Sequence, residues 1–265
     1  MVTDYLREQF RIYLKSGETL VIDGDLTIDD RNLTAMPFLR VRGNLVFRDL
    51  RLHRIWGLEV AGDCTIERCD FIEVLPRTMV VGKKLTLRSN TLLALLGDSL
   101  LCRALEVDGC NSITSLELGI EQCRSVHIKH CKNLELLTHQ KTMWGPSDLT
   151  IEHAGLRNLP SELTVGTNLR VACCDDLELC GPGLMVGGSA DFTGLKNLRS
   201  IGTKAFIGQN LILRDTGLEM LPEDIEVGDG YIEVDENCGI RNLKEIQAAG
   251  TEVRWRGRNL GMHRI

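Results

Sequence analysis

"LTVGTNLRVACCDDLEL", residues 163–179, holds two short apolar alternations separated by a glycine, then a cysteine three places before the next leucine. The cadence returns as LVIDGDLTIDDRNLTAMP at 20–37, LEVAGDCTIERCDFIEVLP at 58–76 and FIGQNLILRDTGLEMLP at 206–222. Aligned on the second alternation, the copies place Leu26, Leu45, Cys64, Leu85, Leu105, Val126, Leu149, Leu169, Ala190, Leu211 and Ile232 in one column, at intervals of 19 to 23 residues. A period in that range marks a solenoid, in which each winding buries its apolar side against the next.

Each copy reads V/L-x-V, a glycine turn, L-x-I, a few polar residues, a C/N position and L-x-x-L-P. Alternation with period two puts the flanking apolar residues inside and the middle one outside, so both ticks are short strands. Glycines at 24, 43, 62, 82, 166, 187, 208 and 228 follow the first strand, where a sharp corner favours a residue without Cβ. Prolines at 37, 76, 160 and 222 close the coil where no ladder donor is needed.

The outward residue after each L-x-I gives Asp29, Arg48, Glu67, Arg88, Asp108, Lys129 and Glu152, followed by Ala172, Thr193, Arg214 and Asp235. The sign alternates through the first seven, as a file of near neighbours on stacked parallel strands would prefer, at about 0.2 to 1 kcal/mol per contact. These charges therefore read as a solvated ladder.

Two places further on stand Cys69, Asn90, Cys110, Cys131, Cys174 and Asn237. Here the chain resembles the leucine-rich repeat family, most clearly in LTLRSNTLLAL at 85–95 and VHIKHCKNLELL at 126–137. The resemblance runs from about residue 20 to 243 and implies a solenoid whose inward Asn or Cys bonds neighbouring backbone. The added V-x-G strand before L-x-L brings the pattern close to a right-handed parallel β-helix. The expected fold is an all-β-dominated solenoid of about 11 coils over 19–243, with a capping helix over 1–18 and a cap over 244–265.

The ends of such a stack need covering. Thr3 as N-cap, Leu6, Phe10, Tyr13 and Leu14 on one face and Gly17 as the stop describe the first cap. RNLKEIQAAG at 241–250 reads as a short helix. TEVRWRGRNL at 251–260 reads as a final strand, with Trp255 folded over the last coil and Arg254, Arg256 and Arg258 blunting an edge.

Composition narrows the function. The net charge is −6 with bases interspersed among acids, so no basic stripe serves nucleic acid. No stretch approaches the roughly 20 apolar residues of a membrane span, and the first residues lack the apolar core of a secretory signal. The expected location is cytoplasmic, the alternative being a secreted effector without a cleavable signal. Ten cysteines spread through such a chain read as reduced thiols. His127 points outward, and His130, His153 and Cys173 occupy equivalent positions of successive coils. That column lacks a fourth strong ligand, so no metal is expected, and no cofactor or catalytic motif is found. His53 and His139 read as ordinary turn residues.

The pattern lapses in coils five to seven, where Gln122 and Gly145 stand in place of Val. The longest coil adds LLTHQKTMWGPSD at 136–148, in which Met143 and Trp144 read as a projecting partner-binding pair. Val21, Val80, Leu100, Trp144, Met185 and Phe206 are read as outward, with Met185 and Phe206 on adjacent coils forming a patch. The functional expectation is a non-enzymatic protein-interaction scaffold of bacterial texture presenting an elongated repeat surface to a protein partner, with weak self-association through that patch. The alternatives are a β-helix carbohydrate-active enzyme and a self-assembling structural solenoid.

Overall fold

The computed structural model describes residues 4–69, 72–76, 78–96, 100–117, 123–138, 145–236 and 238–256. The chain is a parallel β-solenoid of about ten turns at a spacing near 21 residues. It divides into two units, Met1–Thr138 and His139–Ile265.

In the first unit the strands Thr19–Ile22, Ala35–Val41, Arg54–Val60, Met79–Arg88, Leu100–Asp108 and Ser125–Lys129 lie side by side, each parallel to the next. Past the glycine corner, Leu26–Ile28, Leu45–Arg48 and Cys64–Glu67 make a second run that joins Met79–Arg88. The third side is shorter, with Ser115–Glu117 against Leu136–Thr138 and a bridge from Val74 to Leu95. The register pairs Leu26 with Leu45, Leu45 with Cys64, Cys64 with Leu85, Leu85 with Leu105 and Leu105 with Val126, the file the repeat anticipates. All six are buried.

The second unit repeats the plan. Asp148–Glu152, Asn168–Ala172, Ala190–Asp191, Leu211–Ile212, Tyr231–Asp235 and Glu252–Arg256 pair in parallel in that order. A separate four-stranded strip holds Thr164–Val165, Met185–Val186, Phe206–Ile207 and Glu226–Val227.

Two local devices set the corners. Past most glycine corners the requirement is proximity more than backbone angle: a Cβ on Gly228 would lie 2.5 Å from the carbonyl oxygen of Gly208, and one on Gly208 would collide with that of Gly187. The second corner is left-handed at a non-glycine residue in most windings: Asp49, Arg68, Ser89 and His130 in the first unit, and His153, Cys173 and Asp215 in the second, with φ between 51° and 54°. The reversal follows a charged residue at every one of these corners but Cys173, which follows Ala172, and at all but Asp215 the side chain after it is buried. The left-handed region costs an ordinary residue about 1 kcal/mol or more. Stacking against equivalent corners offsets it.

The position so turned inward is the Cys/Asn file. Asn90 is fully buried; its Oδ1 accepts the Cys69 N–H at 2.9 Å and its Nδ2 donates to the Ile66 carbonyl at 2.8 Å. The Cys110 thiol reaches the Leu87 carbonyl at 3.7 Å and the Cys131 thiol the Val107 carbonyl at 3.9 Å, each one winding back. Neighbouring-coil backbone is thus satisfied from inside the stack.

A helix, Asp4–Ser16, lies against the strands Thr19–Ile22 and Ala35–Val41 with Phe10 buried. Gly17, at φ +75°, ends it, its N–H bonded to the Tyr13 carbonyl at 3.0 Å. Thr3, the expected N-cap, lies outside the described residues. At the far end Leu243–Ala248 is a short helix and Glu252–Arg256 the final strand. Trp255 is 50% exposed, although period two puts it on the same face as the buried Val253 and the register sets it beside the buried Val234. Among the described residues no helix is long and apolar enough to cross a membrane.

Candidate interaction surface

Val165, Val186 and Ile207 of the four-stranded strip point inward and are buried, so their partners in the alternation must face out. The register sets Thr164 beside Met185, Met185 beside Phe206 and Phe206 beside Glu226. Met185 and Phe206 are 49% and 37% exposed. Their backbones are fixed by N–H bonds of 2.8 Å to Leu163 and Leu184, one winding back. The two large apolar side chains are therefore held as rung neighbours, flanked by a hydroxyl on one side and a carboxylate on the other.

The other expected pair, Met143 and Trp144, lies outside the described residues, as does His139. One outward assignment is corrected. Leu100 pairs with Met79 and is buried, and its neighbour Leu101 pairs with the outward Val80. Without a glycine corner after this strand to fix the frame, sequence alignment slips by one place, which exchanges the two faces.

The structure adds apolar surface that the repeat reading passes over. Trp56 is 43% exposed, with the Arg54 guanidinium over its ring at 5.4 Å. Phe38, one winding back, covers the Cα of Gly57, close enough that a Cβ there would meet the ring. On the third side, Val74 and Leu95 are exposed on bridged rungs, as are Leu136 in the first unit and Leu179 and Met220 in the second. Their signal is the third letter of L-x-x-L, which points outward by the same alternation that buries its neighbours.

The charged columns are paired along the stack. Arg40 meets Glu59 at 2.5 Å, Arg48 meets Glu67 at 3.2 Å, and Lys84 and Arg88 converge on Glu106. Arg68 bonds both Asp49 and Glu67. In the second unit Arg170 bridges Glu152 and Asp191. The Arg68 hydrogen bond holds the Asp49 carboxyl below its usual value, and Lys84 does the same for Glu106. Carboxylates so held are proton-poor near neutrality and unsuited to donating one.

His130 contacts Asp108 at 2.8 Å and so belongs to the ladder of its own unit. His130, His153 and Cys173 share the left-handed corner position, and among the described residues no group of three or more ligating side chains could hold a metal. The ten cysteines are all free thiols, eight of them buried.

No protein-family model matches the chain, and neither a curated protein nor a solved structure matches it. Its most distinctive outward features are the ordered apolar neighbours on a rigid ladder.

Proposed function

We propose that this chain is a non-enzymatic interaction scaffold whose outward repeat surface binds a protein. The observation that carries the reading is the Met185–Phe206 pair, exposed on adjacent rungs whose N–H groups each bond the preceding winding. A rigid apolar pair with a polar rim pays little ordering entropy on binding, which is the anatomy of an interface centre. The inward Cys/Asn file supports a leucine-rich-repeat-like reading of the windings, a class used by many bacterial proteins to bind others. Reduced interior thiols support a reducing, cytoplasmic setting.

The test uses the full chain and the double variant Met185→Thr/Phe206→Thr. Both sites are exposed and threonine suits a strand without setting like charges on neighbouring rungs, so the variant should keep the wild-type unfolding curve. In cell extract, the expected outcome is a defined protein captured by the wild type and reduced about tenfold or more in the variant, the effect of losing one interface centre. Equal capture by both would overturn the reading. Sedimentation velocity over a concentration series separates self-association through the same patch. A wild-type-only shift in sedimentation coefficient would identify the partner as a second copy.

A further inference from the structure

The last strand of the second unit, Glu252–Arg256, pairs on one side with Tyr231–Asp235, and among the described residues no strand pairs with its other side. Such an edge presents a row of backbone N–H and C=O groups to a further strand. Its inward face is unfinished as well. Val253 is buried, but Trp255, on the same face and beside the buried Val234, stays half exposed. An inward residue within a stack is covered by a winding on each side, and among the described residues Trp255 has one on a single side.

Charged side chains can make an edge repel another strand. Here they stand on the outward face and are already matched. Arg254 bonds Glu252 at 2.7 Å and lies over the Tyr231 ring at 3.7 Å, and Arg256 meets Glu233 at 3.4 Å. The order of the strand, Glu-Val-Arg-Trp-Arg, is also self-complementary. Reversed about Arg254, it sets Glu against Arg at both ends and Val against Trp between them.

We propose that the edge strand Glu252–Arg256 pairs antiparallel with the same strand of a second copy, about a two-fold axis at Arg254. A two-fold contact is isologous, so each off-axis pairing occurs twice. On the outward face Glu252 stands opposite Arg256 of the partner subunit, and Arg256 opposite the partner's Glu252. Residues directly opposite on antiparallel strands share a face, so Trp255 meets the partner's Val253 on the inward side, where it gains its missing cover. Charge selects this arrangement over a parallel, in-register pairing, which would set Glu252, Arg254 and Arg256 each against its own kind. The antiparallel pairing leaves like charges opposite at Arg254 alone, and that guanidinium is held by Glu252 and the Tyr231 ring. The contact lies on a different strand from Met185 and Phe206 and needs neither of them.

The experiment is sedimentation velocity on the full chain over about 1 to 200 µM, where the sedimentation coefficient should rise from the monomer toward the dimer value. Glu252→Arg and Arg256→Glu both change exposed side chains, so each should fold, which circular dichroism checks. Each sets like charges opposite one another twice and should weaken dimerisation about tenfold or more. Mixed in equal amounts, the two variants regain unlike charges at both positions and should dimerise again, which neither a parallel register nor a contact elsewhere on the chain would produce. Trp255→Thr should weaken association with no change of charge, and Met185→Thr/Phe206→Thr should sediment as the wild type does. A wild type monomeric over the whole range, as it would be with residues 257–265 of its own chain on the edge, would overturn the proposal. Single charge variants that dimerise like the wild type, or a mixture that does not recover, would do the same.

Discussion

The side-chain oxygen of Asn44 accepts the backbone N–H of Asp63 at 2.9 Å, one winding further along the stack. Asp25 does the same for the Asn44 N–H at 2.7 Å, and Asp63 for the Lys84 N–H at 3.0 Å. In the second unit Asn168 serves Ser189, Ser189 serves Asn210, and Asn210 serves Tyr231, each at 3.3 Å. Where the strand ladder is interrupted at the glycine corner, a side chain on one coil satisfies the donor on the next. Corner donors left without a partner would be costly, which explains the D/N/S that precedes so many second strands.

This staircase and the buried Asn90 differ in solvent access, and that difference sets the cost of breaking them. Asn44→Leu should destabilise by about 0.5–1.5 kcal/mol, because water replaces part of the lost bond. Asn90→Leu strands both the Cys69 N–H and the Ile66 carbonyl away from water and should cost about 2–5 kcal/mol. Asn90→Cys, the residue of the neighbouring rungs, should be milder than Asn90→Leu. Urea unfolding monitored by circular dichroism ranks the three.

Gly208 is required by the carbonyl of Gly187 that stands against it. Gly208→Ala should reach the upper end of the about 1–3 kcal/mol typical of overpacking, since backbone must move to relieve the clash. Gly217→Ala, which meets the Lys196 carbonyl in the same way, should behave alike. Thermal melts of both variants against the wild type check the claim.

Docking of the first helix depends on acid. Asp30 is buried and accepts from Arg7 Nε at 2.6 Å and from the Asn32 N–H at 3.1 Å; the Arg7 bond, foremost, holds its carboxyl below the usual value. A depressed folded-state value stabilises the fold fully above the unfolded carboxylate value near pH 4, and this stability fades as pH falls through the lower folded value. The protection factors of the amides in residues 4–16 should therefore fall below about pH 4. Asp30→Asn should show the lower protection already at pH 7 and little further loss of protection with acid.

Thiol reactivity should divide by position. Cys173 is exposed at a left-handed corner, whereas burial pushes Cys174 up to about 11 and Cys180 to about 12. At pH 8 Ellman's reagent should modify Cys173 in the native chain and reach Cys174 and Cys180 only on unfolding. Rapid reaction at Cys180 in the folded chain would contradict its place in the core.

The legible parts of the fold were those that repeat. Leu26, Leu45 and Cys64 announce their stacking because an inward place in every winding has to be apolar, and Arg48 and Glu67 announce theirs because unlike charges suit adjacent rungs. The face of Leu100 is not legible, because the corner glycine is absent there and nothing fixes the frame. The exposure of Trp56 leaves no mark in the sequence, because the residue interrupts no period. Met185 and Phe206 were legible as outward residues on adjacent coils, and the register sets them side by side.

The amino-acid order by itself determined the winding: period two within strands and a period near 21 between them leave one arrangement that buries the leucines. It also determined the terminal helix, through Phe10 and Gly17. Only the tertiary structure decided what each outward or inward residue faces across the rung. That Leu100 pairs with Met79, that Arg170 bridges Glu152 and Asp191 and that Asn90 bonds Cys69 and Ile66 all depend on contacts between residues far apart in the chain. A periodic sequence encodes which way a side chain points. The partner it meets depends on stacking and side-chain rotamers, which the period leaves open.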